Sequence, residues 1–136
     1  MDWREWGIIR PIEDQGICGS CYAFSTAHSI ESVNAIRIGK VYHVSKQHIV
    51  DCCDSEYCLA CEGASVAYAN KFLFDSGSLY AEADYPYTSG VTGIETSCNA
   101  DNLIEIDPSE VYITNLLFAT NWDENMRADL IKSLLV

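Results

Sequence analysis

Positive charge is scarce in this chain. Eight Lys plus Arg stand against 20 Asp plus Glu, giving a formal net charge of -12 at pH 7. Phosphate contacts need a basic footprint, so this balance argues against nucleic acid as a partner. It argues equally against an anionic membrane surface. No apolar run approaches the roughly 18 residues of a membrane span. The first residues, Met1-Asp2-Trp3-Arg4-Glu5-Trp6, hold no apolar core of a secretory signal. No Asn-x-Ser/Thr acceptor occurs, so glycosylation supplies no evidence of secretion. There is no internal repeat and no low-complexity tract. Histidine is limited to His28, His43 and His48.

What remains is a chain able to fold. Of its 136 residues 49% are apolar, enough to build a core. The length suits one small domain or one part of a larger one. It also holds seven cysteines, Cys18, Cys21, Cys52, Cys53, Cys58, Cys61 and Cys98. That density is high for a reduced cytosolic protein. Disulfides imply export, and with no export signal at its start the sequence is expected to lack its natural beginning.

The pattern along the chain predicts a mostly helical region with little strand. Residues 2–20 read as an extended segment punctuated by Pro11 and Gly16. A long helix is predicted from Cys21 to Ile38, with Ser20 as N-cap and Gly39 at the end. Ala23, Ala27, Ile30 and Asn34 share its apolar face, while Phe24, Ser25, His28 and Glu31 make a mixed one. A short helix follows Ser45, through His48, Ile49 and Val50, with His43 and His48 expected as surface or capping residues. Residues 51–62 form a cysteine-rich loop. A third helix is predicted over Ser65–Phe74, stopped by Gly77. Residues 75–110 are rich in turn formers. A strand is predicted over Val111–Leu117, then an amphipathic helix from Asn121, with Glu124 completing a capping box. Its apolar positions are Met126, Leu130 and Leu134, and the apolar end at Val136 suggests an element cut short.

Cys18-Gly19-Ser20-Cys21 at a helix start has three chemical readings. As a redox dithiol it would need a preceding strand in a βαβ unit, but the polar turn Glu13-Asp14-Gln15-Gly16 precedes it. As half of a zinc site it would pair with Cys58-Leu59-Ala60-Cys61. Zinc pairs usually sit on tight turns, however, whereas Cys21 opens an apolar helix, and Cys52, Cys53 and Cys98 are left without a role. In the third reading six cysteines pair, and the seventh is a free thiol at a helix N-terminus, where a thiolate is best stabilised. The plain alternative is that the odd cysteine is scaffold.

The residues around it decide the matter. The run Gln15-Gly16-Ile17-Cys18-Gly19-Ser20-Cys21-Tyr22-Ala23-Phe24-Ser25 resembles the nucleophile segment of the papain-like cysteine proteases, papain and the cathepsins. Asp2-Trp3-Arg4 resembles that family's mature N-terminus, and Ser45 to Cys52 its second helix. Cys61-Glu62-Gly63-Ala64 resembles its Cys-x-Gly-Gly loop, and Asp84-Tyr85-Pro86-Tyr87 and Cys98 follow in the family's order. The likeness is clear from residue 2 to about 98 and weaker beyond.

The resemblance implies an α+β fold with a helical left domain and a β-rich right domain, the active site lying between them. This chain would supply the left domain over 1–110 and the truncated start of the right one over 111–136. It implies a cysteine-type endopeptidase in which the Cys21 thiolate attacks the scissile carbonyl and forms a thioester acyl-enzyme. Gln15 and the Cys21 backbone N–H would form the oxyanion hole. Gly19, Ser20, Gly63, Ala64, Ser65 and Val66 would contact substrate, Gly63 along its backbone and Ser65 and Val66 at the main specificity pocket. Cys18 would pair with Cys61 and Cys52 with Cys98, which leaves Cys53 and Cys58 for each other. No metal or other cofactor is implied. Polypeptide substrates and protein inhibitors are the implied partners, and a lysosome or vacuole, or secretion, the implied location.

There are departures. Tyr22 stands where tryptophan is commoner, and Ala64 replaces a glycine. The family's catalytic histidine and its orienting asparagine would fall near or beyond the last residue. The chain alone is therefore expected to be inactive. A non-catalytic module that holds peptides or inhibitors, or a zinc-stabilised module, are the alternatives.

Overall fold

The computed structural model describes residues 2–53, 56–100, 103, 105 and 106. The strand predicted over 111–117, the helix from Asn121 and the proposed right-domain start at 111–136 lie outside the described residues.

Helix α1, Cys21–Ile38, is the axis of the fold. It ends at Gly39, whose left-handed φ of 69° lets its N–H return to the Ala35 carbonyl. Tyr22, Ala23, Thr26, Ala27 and Asn34 turn inward, and Ile30 packs against the same core. Helix α2, Lys46–Cys52, begins at Ser45, whose hydroxyl accepts from the His48 N–H at 3.0 Å. Helix α3, Val66–Ser76, begins at Ser65, capped through the Ala67 N–H, and stops at left-handed Gly77. Helices α2 and α3 both pack on α1. Ala23, Ala27, Ile49, Ala69 and Leu73 meet in the core with no exposed area.

Two one-turn elements were not predicted. A 3₁₀ turn spans Ala60–Glu62, and helix α4 spans Ser89–Thr92. Only isolated bridges, Val44 with Ala81, Cys58 with Ala64 and Tyr80 with Glu105, occur among the described residues.

The expected cap of α1 differs. Ser20 occupies the N-cap position, but its hydroxyl makes no cap bond. It is fully buried and points to the Tyr87 hydroxyl instead, 2.6 Å away. His48 also differs from expectation. It is not a surface residue but 3% exposed, held among the rings of Phe72, Tyr80 and Tyr85. The reason is its helical register: His48 falls on the face of α2 that turns toward α3 and the Leu79–Tyr85 segment.

Two connections hold the segment before α1. At Gly16, φ is +65° and an added Cβ would lie 2.1 Å from the Gly90 carbonyl oxygen, so the turn admits only glycine. The neighbouring Ile17 N–H donates to that same oxygen at 3.0 Å. The second connection is ionic. Glu13 contacts Lys46 Nζ at 2.9 Å, His28 Nε2 at 2.8 Å and Arg10 at 3.1 Å. Lys46 is 2% exposed and also faces Glu82 at 3.6 Å. Arg10 reaches on to buried Glu31, whose Oε1 accepts from the Val44 N–H.

Candidate active site

The seven cysteines sort into three bridges and one thiol. Cys18 is joined to Cys61, Cys52 to Cys98 and Cys53 to Cys58. Cys21 is free and exposed. The four thiolates of a zinc site are therefore not available together, because the Cys18 and Cys61 sulfurs are bonded to each other and the Cys58 sulfur to that of Cys53.

Cys21 is the first residue of α1. The first turns of a helix carry N–H groups with no intrahelical acceptor, and their dipoles favour negative charge. Ser20 gives no side-chain cap, and what it offers these donors is its backbone carbonyl, which accepts from the Ala23 N–H at 2.8 Å and the Phe24 N–H at 3.3 Å.

Gln15 is brought to the same place by the turn at Gly16. Its amide Nε2 donates to the Cys18 carbonyl at 2.8 Å. The same carbonyl accepts from the Ser20 N–H at 2.8 Å. An amide nitrogen has two hydrogens. One of them is used in the bond to Cys18, which ties the Gln15 side chain to the segment leading into α1.

The opposite side of the cysteine segment is set by the Cys18–Cys61 bridge. The Gly19 N–H donates to the Cys61 carbonyl at 2.8 Å, and a Cβ at Gly19 would lie 2.5 Å from that oxygen. Gly19 thus lets the 60–64 loop come against the start of α1. Tyr22 seals the contact from inside, its hydroxyl donating to the Ala60 carbonyl at 3.1 Å. Burial, reinforced by Asp51, pushes this phenol up to about 12, so it stays a donor. Gly63 lies on the same loop with φ 112°, and an added Cβ there would meet no atom within 4 Å. Gly63 and Ala64 are half-buried, and Ser65 and Val66 are exposed at the start of α3.

Of the residues expected to touch substrate, Ser20 is the exception. It is 0% exposed, because its side chain is taken inward by Tyr87. Tyr87, conversely, entered the sequence reading only as part of the Asp84-Tyr85-Pro86-Tyr87 run, with no role in the site. Its position after Pro86 gave no signal that its hydroxyl reaches both Ser20 and Gln15.

The three histidines are engaged elsewhere. His28 is paired with Glu13 and lies about 10 Å further along the axis of α1 at 1.5 Å per residue. His43 is exposed ahead of α2, and His48 is enclosed by aromatic rings. Among the described residues no group of three or more His, Cys, Asp or Glu is placed to hold a metal ion. Among them also, no helix is long and apolar enough to cross a membrane.

Comparison with known proteins agrees with this geometry. The family model described as papain family cysteine protease matches residues 1–133. Germination-specific cysteine protease 1 of Arabidopsis thaliana is 43% identical over 100 residues, 74% of this chain and 25% of that protein. Cysteine proteinase 15A of Pisum sativum is 36% identical over 142 residues, 98% of this chain and 36% of that protein. The chain spans about a quarter to a third of the length of these curated relatives. Among solved structures, the Carica candamarcensis cysteine protease CMS1MS2 in complex with E-64 superposes with a TM-score of 0.67 at 31% identity, covering 76% of this chain and 46% of that one. The proform of the ragweed pollen allergen Amb a 11, a cysteine protease, gives 0.65 at 34% identity, covering 78% and 32%. The helices, the lone exposed thiol and these matches lead to one assignment: the chain belongs to the papain family of cysteine proteases.

Proposed function

We propose that Cys21 is the nucleophile of a cysteine-type endopeptidase, and that this chain carries the nucleophile half of its cleft. The observation that carries the reading is the one free, exposed thiol at the start of α1, with the Gln15 amide tethered beside it. The Cys21 sulfur attacks a peptide carbonyl and the amine leaves, giving a thioester that water then hydrolyses. The Gln15 amide and the Cys21 N–H receive the charge that builds on the carbonyl oxygen. The substrate runs along Gly63 and Ala64, where the open space in front of Gly63 admits a peptide backbone. Val66 gives the side-chain pocket an apolar contact and Ser65 leaves it wide. Gly19 serves by letting this loop approach. The substrates are polypeptides, and protein inhibitors of such enzymes are natural partners of the same groove. Three disulfides support an oxidising compartment as its location, a lysosome or vacuole or outside the cell.

The acid–base partner is not one of this chain's histidines. The 136 residues alone therefore bind without turnover, because the leaving amine has no proton donor; general acid–base assistance is worth about 10²–10⁴-fold. A right-hand half, fused or co-expressed, restores cleavage.

The test compares the chain alone with the chain so completed. Peptide hydrolysis is expected only in the second, together with one alkylatable thiol that peptide mapping places at Cys21. Cys21→Ser is expected to abolish hydrolysis, and Gln15→Ala to slow it by about 10²–10³-fold, the usual loss for one oxyanion donor. Turnover by the unaccompanied chain that Cys21→Ser removes would reveal a base outside the three histidines' present positions and overturn the division of labour. A bridged Cys21 would sink the reading altogether.

A further inference from the structure

The Tyr87 hydroxyl links the two pieces of chain that supply the proposed oxyanion donors. It donates to the Gln15 carbonyl at 2.8 Å and lies 2.6 Å from Ser20 Oγ. A phenol has one hydrogen and a carbonyl can only accept. That hydrogen therefore goes to Gln15, and the Ser20 hydroxyl donates to the Tyr87 oxygen. This accounts for the missing cap at α1: the Ser20 side chain is spent on Tyr87, and the N–H groups of the first turn are left without it.

The ring is fixed independently of its hydroxyl. Phe24 meets it edge-on, with centroids 5.0 Å apart. Gly90 also lies against it, an added Cβ there coming within 2.8 Å of a ring carbon. The Tyr87 N–H donates to Glu82 at 2.8 Å. Burial pushes the phenol upward, and Asp14 and Glu82 add to this against the Ser20 bond, so the hydroxyl keeps its hydrogen at neutral pH.

We propose that Tyr87 is a positioning residue of the oxyanion site, its hydroxyl setting the spacing between the Gln15 amide and the N–H of Cys21. The inference rests on the peptidase reading above. The two donors come from different segments, one from the turn at Gly16 and one from the start of α1, and the linking stretch contains Gly16 and Gly19. The Gln15 amide and the bridge to Cys61 pin this stretch at its middle, at Cys18, but leave its two ends to be set against each other. Tyr87 holds the backbone of Gln15 at one end and the residue before Cys21 at the other. Donors aimed at a developing charge act through their placement, and small displacements are expensive in rate.

The test uses the chain completed by its right-hand half, as parent, Tyr87→Phe, Gln15→Ala and the double variant. Tyr87→Phe keeps the ring and removes only the hydroxyl. It is expected to lower kcat about tenfold while leaving KM within about twofold, as for an interaction made mainly in the transition state. With Gln15 already alanine, the same change is expected to lower kcat by less than about twofold, because the donor it positions is gone. An unchanged kcat, or an equal loss in both backgrounds, overturns the proposal, the latter by showing general support of the fold. Should Tyr87→Phe fail to fold, as judged by near-ultraviolet circular dichroism, Ser20→Ala takes its place. It breaks the other end of the tie, and its loss of kcat must likewise depend on Gln15. A parent protein with no Cys21-dependent cleavage overturns the peptidase reading itself, and this inference with it.

Discussion

His48 shows what burial does to a single titratable side chain. Phe72, Tyr80 and Tyr85 surround the ring, the closest of their centroids being that of Tyr80 at 4.6 Å, and Nδ1 is buried without a hydrogen-bond partner among the described residues. Burial drives its pKa down to about 4 from an ordinary 6.5, although Asp51 and Glu105 pull the other way. In the unfolded chain the imidazole takes up a proton near its ordinary value; in the folded one it resists until about 4. Stability from this residue is therefore fully present above the ordinary value and is lost as pH falls across that window. The whole shift corresponds to a loss on the order of 3 kcal/mol. Glu13 adds to the same trend. Its burial would raise its pKa, but the bonds to Lys46 and His28 and the charges of Lys46 and Arg10 together lower it. Its contribution is lost at still lower pH, as the carboxylate protonates. Urea midpoints measured from pH 7 to pH 4 are expected to fall for the parent and to fall less for His48→Phe, which fits among the same rings without a proton to bind. Parallel curves for the two proteins would show that His48 is not the source.

At the scale of elements, the legible parts were those with a period and punctuation. Helix α1 was readable from its inward-facing alanines and from Gly39, and α3 from Ser65 and Gly77, because a cap and a left-handed glycine act locally. The family was readable because the residues that carry the resemblance are packed into eleven consecutive positions, Gln15 to Ser25. The 3₁₀ turn at Ala60–Glu62 and α4 at Ser89–Thr92 were not, since one turn carries no periodicity. Nor were the ties formed by long-range meetings: Lys46 with Glu13, Tyr87 with Gln15, and Ser20 turned inward. Such contacts depend on which loops the helices bring together, and local sequence does not encode that. The Gly16–Gly90 crossing is one of these meetings and can be tested. Gly16→Ala puts a Cβ into the Gly90 carbonyl in a conformation that side chains resist. It is expected to destabilise the fold by about 1–3 kcal/mol in urea unfolding, as for a substitution at a strained turn. In the completed enzyme it should also lower kcat, since the turn carries Gln15. A midpoint equal to the parent's would mean the two strands of backbone separate without loss.

For the whole molecule, two opposed properties decide how it behaves in solution. Many large apolar side chains are exposed, among them Trp6, Ile12, Ile17, Val91 and Ile94, with Ile12 fully so. Along α1, Val33 and Ile36 are exposed as well. Apolar surface of this kind favours association. Against it stands the net charge of -12, which makes every copy repel every other. Repulsion between surface charges is screened by salt: its range shrinks from about 10 Å at 0.1 M to about 3 Å at 1 M. Apolar attraction is not weakened by that screening. The 136-residue chain at neutral pH is therefore expected to be closest to monomeric at low ionic strength and to associate as sodium chloride is raised. The bridges from Cys18 to Cys61 and from Cys52 to Cys98 constrain the unfolded chain, each by roughly 2–4 kcal/mol. Helix content should accordingly persist through the association, which separates it from unfolding. Light scattering gives the mass and far-ultraviolet circular dichroism the helix content on the same samples. A monodisperse monomer throughout the salt series would show that the exposed side chains form no effective patch. Association that grows as salt is removed would show that opposite charges, not apolar surface, hold the copies together.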